Sequence, residues 1–130
     1  MKHLHFDVET AGFYGAYWAC AGGSDCAVIA MIGDDPEDRL ARSAVKWLCG
    51  QGVNVLTMSP AKKDYGHHNY PLERVETAIS WLKANGNHKI GIAGASTTGT
   101  LALTAAAMFP DVTLTIAMTP SDFVWQGFMQ

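Results

Sequence analysis

Ser96 is the side chain of this sequence best placed to do chemistry. It lies in Gly94-Ala95-Ser96-Thr97-Thr98-Gly99, between a nearly unbroken apolar run, Ile90 to Ala95, and an Ala/Leu-rich run that ends at Pro110. A serine hydroxyl attacks an acyl carbon when three conditions meet: it stands clear of its neighbours, a base takes its proton, and N–H groups face the oxyanion that forms. Small residues around Ser96 let the backbone turn sharply enough for the first. The N–H of Thr97, at a helix start, suits the third. The pattern approaches Gly-x-Ser-x-Gly, the usual form of an exposed serine on a strained strand-to-helix turn. Thr98, however, stands where the second glycine is expected, and Gly99 comes one place late. The plainer alternative is that Ser96 or Thr97 simply caps the helix of a buried βα unit.

The elements that must hold this turn are legible in order. Residues 3–8 alternate polar and apolar, as a strand with one wet face does, and residues 13–20 are aromatic and strand-like. Cys26 to Ile32 reads as a buried strand. Asp35 then reads as an N-cap with Pro36 at the first helical position, and Leu40, Ala44, Trp47 and Leu48 as that helix's apolar stripe. Val53 to Met58 is a further strand, and a polar loop from Ala61 to Tyr70 follows it. Pro71 to Ala84 forms the next helix, with Leu72, Val75, Ile79 and Leu82 inward. After the central βα unit, Val112 to Met118 makes the last strand, leading to an aromatic tail of Phe123, Trp125 and Phe128. Strand and helix alternate from residue 26 onward, so the expected fold is α/β: three layers around a mostly parallel sheet, with two antiparallel strands in front.

Composition narrows the function classes. The chain has 130 residues, 48% hydrophobic and 16% charged, with a net charge of −3. That suits one globular domain and supplies no basic footprint for nucleic acid or an anionic membrane. Neither a membrane span nor a signal peptide is evident. Cys20, Cys26 and Cys49 lack metal-type spacing and read as reduced thiols of a cytoplasmic protein, with Cys26 and Cys49 as small core residues. No cofactor or metal is called for, because adjacent His67 and His68 point their rings apart and no third ligand is spaced to join them.

Two leading strands followed by a βαβ run with the serine turn mid-sheet resemble the first half of an α/β-hydrolase. Gly94-Ala-Ser96, Leu101-Ala-Leu103, Phe109-Pro110 and Thr119-Pro120-Ser121 are similar to the group of acyl-CoA thioester hydrolases and bile acid-CoA:amino acid N-acyltransferases. The resemblance implies a small-molecule acyl thioester or ester substrate, with Ser96 as nucleophile and the Thr97 N–H as one oxyanion donor. It places the second donor in the loop after the third strand, at Asp34 or Asp35. It also implies a triad acid and a later histidine. After Ser96 the sequence holds Asp111 and Asp122 but no histidine. Residues 1–130 are therefore expected to be the amino-terminal portion of one hydrolase domain, ending after the sixth strand and inactive alone.

Two other classes remain in view. Gly91, Gly94 and Gly99 near a helix start suggest a phosphate- or nucleotide-binding module, although the spacing is neither dinucleotide-type nor a P-loop. A non-catalytic domain that self-associates through its last sheet edge is the other. Within the hydrolase reading, His67 and His68 are the loop histidines that could stand in as the base.

Overall fold

The apolar runs of the sequence become neighbours in one sheet. A computed structural model describes residues 2–32, 35–59 and 70–118. In chain order they form β1 (Leu4–Phe6), α1 (Val8–Ala11), β2 (Gly15–Trp18), β3 (Cys26–Met31), α2 (Arg39–Gly50), β4 (Asn54–Met58), α3 (Glu73–Ala84), β5 (Lys89–Ala95), α4 (Thr97–Met108) and β6 (Val112–Met118). The sheet order is β1-β2-β4-β3-β5-β6. β1 and β2 pair antiparallel, as do β2 and β4, whereas β3 pairs parallel with β4 and β5, and β5 with β6. The expected α/β architecture, with antiparallel leading strands, is the one observed.

The order follows from burial. β3, β4 and β5 lack a wet face because helices cover both sides, so nearly all of their positions are buried. On one side Ala27, Ile29, Met31, Leu56, Ile90 and Ile92 pack with Val75, Ile79 and Leu82 of α3 and Ala102 and Ala105 of α4. On the other, Ala16, Trp18, Val28, Ala30, Val55 and Ala93 meet Val45 and Leu48 of α2. Burying each Val, Leu, Ile or Met among them contributes roughly 1.5–3 kcal/mol.

Several expectations need correction. The first strand stops at Phe6, and Asp7 caps the short α1 by accepting from the Thr10 N–H at 2.9 Å. α2 is capped by Asp38, whose Oδ1 accepts from the Ala41 N–H at 2.8 Å, and Asp35 is not the cap. Asp35 instead closes its own turn by accepting from the Glu37 N–H at 2.9 Å, which leaves Pro36 outside the helix. The α2 stripe is Ala41, Val45 and Leu48, while Leu40 and Trp47 are 61% and 64% exposed. Ala41, Val45 and Leu48 form the face turned to the sheet, and Leu40 and Trp47 lie off it. Cys20 is the fully buried cysteine; Cys26 and Cys49 are half-buried, and all three are free thiols. Burial, and next the nearby Cys20, push the Cys49 thiol above its ordinary pKa.

β6 is the uncovered edge among the described strands. Its register with β5 sets Leu114, Ile116 and Met118 beside Gly91, Ala93 and Ala95, on the face that α2 covers further along. Leu114 is 57% and Met118 48% exposed there. The aromatic tail expected to extend this edge lies outside the described residues.

Candidate active site

Gly94 sets the geometry at the end of β5. A Cβ built on it would meet the Thr98 carbonyl oxygen at 2.2 Å, so only glycine lets the first turn of α4 fold back this tightly on its strand. The bend falls on Ser96, at φ 55° and ψ −119°. Ser96 is the single non-glycine residue with positive φ among the described residues. A side chain there costs on the order of 1–3 kcal/mol. It persists because the surroundings fix it: the Ser96 N–H donates to the Met118 carbonyl at 2.8 Å, and the Ser96 carbonyl accepts from the Thr100 N–H at 3.2 Å.

Thr98 explains the departure from the glycine pattern. Its buried hydroxyl accepts from the Ala95 N–H at 2.9 Å and donates to the Ala95 carbonyl at 2.8 Å, closing the bend from inside. The close approach falls instead at Gly99, where a Cβ would lie 3.1 Å from the Met118 carbonyl oxygen and 3.3 Å from that of Gly94. The late glycine therefore marks where α4 meets β6. Gly91 and Gly94 are likewise filled against by Leu114 and by α4. All three glycines serve close packing, and none leaves a cradle for phosphate.

Ser96 itself is exposed and occupies the N-cap position, but its side chain makes no capping hydrogen bond. The capping alternative thus lacks its defining contact. Thr97 is the first residue of α4, where backbone N–H groups point out of the helix and the dipole favours negative charge.

The neighbouring connection leaves the sheet at the same level. Met31 at the end of β3 pairs with Gly94, so the chain after β3 begins one strand away from the serine turn, about 4.8 Å across the sheet. Asp34 lies outside the described residues. Asp35 is described, and its N–H faces the Asp38 carboxylate at 3.3 Å. Its own carboxylate takes the Glu37 N–H and, at 3.4 Å, the Tyr14 hydroxyl, which directs the charge into the turn.

Of the remaining titratable candidates, Asp111 precedes β6, at the opposite end of the strands from Ser96, and pairs with Lys83 at 2.8 Å. His67, His68 and Asp122 fall outside the described residues. No three His, Cys, Asp or Glu side chains are grouped to hold a metal among the described residues, and no helix there is long and apolar enough to cross a membrane.

Sequence reasoning missed two features. His3 and His5, taken only as the wet face of a strand, both reach Glu37 Oε1, at 2.8 and 3.1 Å. Their alternation places both rings on one face, but nothing in the sequence points to a partner more than thirty positions away. Tyr70 is the other: its hydroxyl is buried without a hydrogen-bond partner among the described residues, and burial pushes its pKa up.

No protein-family model matches the sequence. The fold does match solved structures. An esterase described as cold-adapted, from an Arctic intertidal metagenomic library, superposes with a TM-score of 0.67 at 19% identity over 88% of this chain and 57% of its own. A protein of unknown function from Agrobacterium tumefaciens, provisionally assigned to the α/β hydrolases, gives 0.69 at 11% identity over 94% of this chain and 63% of its own. A Pyrococcus furiosus esterase gives 0.68 at 20% identity over 92% of this chain and 48% of its own. The chain therefore has the α/β-hydrolase fold, and it spans about half to two thirds of the length of these structures.

Proposed function

We propose that this chain is the nucleophile-bearing portion of a serine hydrolase or acyltransferase acting on small acyl thioesters or esters, with acyl-CoA-type thioesters as the substrate class. One observation carries the reading: a strained, exposed Ser96 between β5 and α4, in a fold shared with esterases. Ser96 Oγ attacks the acyl carbon, and the thiolate or alkoxide leaves as the tetrahedral adduct collapses to an acyl-enzyme. Water or an amine then takes the acyl group and frees the serine. The Thr97 N–H faces the oxyanion, and the second backbone N–H comes from the connection after β3, at Asp34 rather than Asp35, whose N–H is already given to the Asp38 carboxylate. The carboxylate and imidazole that activate Ser96 come, in this reading, from sequence following residue 130. The share of the matched structures that this chain covers supports that assignment.

Labelling with a serine-directed fluorophosphonate tests the proposal in a polypeptide carrying this sequence with its continuation. A covalent adduct mapped to Ser96, and lost in Ser96→Ala, is the expected result. Absence of any Ser96-dependent adduct would overturn it. Residues 1–130 alone are expected to leave a p-nitrophenyl ester unhydrolysed; turnover above the Ser96→Ala control would show that the base lies within them.

A further inference from the structure

The turn between β3 and α2 is gripped from four directions. From β1 and the residue before it, His5 Nδ1 and His3 Nε2 converge on Glu37 Oε1. From the residue before β2, the Tyr14 hydroxyl reaches Asp35. From β4, the buried Thr57 hydroxyl donates to the Pro36 carbonyl at 2.7 Å. From α2, Arg42 Nε donates to the Glu37 carbonyl at 2.8 Å, and its guanidinium lies 5.2 Å from the Trp18 ring centre. His3 stacks on the same Trp18 at 4.0 Å. The sheet register makes this convergence necessary: His5 pairs with Ala16, and Ala16 with Thr57, so the strand partners lie side by side on the α2 face beneath the turn.

Most of these contacts do not depend on a histidine's charge. The two imidazole–carboxylate bonds do, because an imidazole becomes a cation when it takes up a second ring proton. With neutral rings the two bonds are already assisted by the charge of the Glu37 carboxylate. With protonated rings each becomes an ion pair, with charge on both donor and acceptor. The other titratable or charged groups around Glu37 are Asp35 and Asp38 in the turn, Tyr14 just before β2 and Arg42 on α2.

We propose that Glu37, held by His3 and His5, is a positioning residue that makes the seating of the β3–α2 turn depend on the protonation of those two histidines. Any consequence for catalysis rests on the Ser96 reading, since the chain that forms this turn leaves β3 at Met31, which pairs with Gly94 of the serine bend. The clamp tightens as the two rings take up protons. At lower pH it opens again. Burial pushes the Glu37 carboxyl up, but the hydrogen bonds and charges of His5 and His3 outweigh it and hold the group below its usual range. A depressed carboxylate stabilises the fold above its unfolded pKa, and that contribution disappears as pH falls through the folded value.

Amide NMR of the ¹⁵N-labelled chain between pH 5 and 8 reads this directly, without reference to Ser96 chemistry. The amide shifts of Asp35, Glu37 and Asp38 should move with the same midpoints as the His3 and His5 ring protons. In Glu37→Gln, which keeps an acceptor and removes the charge, the shifts of Asp35 and Asp38 should become flat while both rings still titrate. A wild-type turn that stays still while the rings titrate overturns the proposal, and so does a response unchanged in Glu37→Gln. The wild-type arm decides even if the variant does not fold. An inert Ser96 in the labelling experiment would leave this result unaffected.

Discussion

Two connections leave the same edge of the sheet one strand apart, and they are fixed in opposite ways. The β5–α4 bend is local: Gly94, Ser96, Thr98 and Gly99 supply the close approach, the strain and the internal hydrogen bonds within six consecutive residues, with β6 as the main outside support. The β3–α2 turn is assembled from a distance, by side chains on or just before β1 and β2 and on β4 and α2 that lie up to 34 positions away. A site that needs one group held to a fraction of an ångström gains from the first arrangement, because few parts can drift. A loop that must be seated against it can be tuned through the second, because each outside contact is a separate control.

Substitutions that break one connection and spare the other sharpen this contrast. Gly94→Ala should do the most damage, since its Cβ would meet backbone that cannot move aside; a loss of about 3 kcal/mol in urea denaturation is expected. Thr57→Val attacks the assembled turn. It strands the buried Pro36 carbonyl and the Trp18 indole N–H, which donates to the Thr57 hydroxyl at 3.2 Å. The expected cost is about 1–3 kcal/mol, with amide shift changes spreading over residues 35–38 and leaving residues 94–99 in place. Lys83→Met removes an exposed ion pair remote from both connections and should change stability by less than about 0.5 kcal/mol. A loss for Lys83→Met as large as that for Thr57→Val would mean that the bonds around the turn have no special weight.

The same contrast explains what the sequence disclosed. The serine bend was legible because its parts are contiguous and its chemistry demands small residues. The strands were legible because β3 and β5 are apolar at nearly every position. Asp35 misled because an aspartate before a proline suits either a helix cap or a self-closing turn, and the choice lay with Asp38 three positions on. Leu40 and Trp47 misled because size says nothing about which side of a helix meets a sheet; here it is the side of Ala41, Val45 and Leu48. His3 and His5 could not be paired with Glu37 from sequence, since β1 reaches the turn only by way of β2 and β4.

The account depends most on the claim that the bend after β5 is strained at Ser96. Urea denaturation of Ser96→Gly against Ser96→Ala measures that strain in the chain as it stands. Glycine ordinarily destabilises relative to alanine by roughly 0.5–1 kcal/mol. Here the order should invert, with Ser96→Gly the more stable by about 1 kcal/mol, because alanine keeps the cost of positive φ and glycine sheds it. If Ser96→Ala proves as stable as Ser96→Gly or more so, the bend is relaxed and the case for a hydroxyl held out by strain fails.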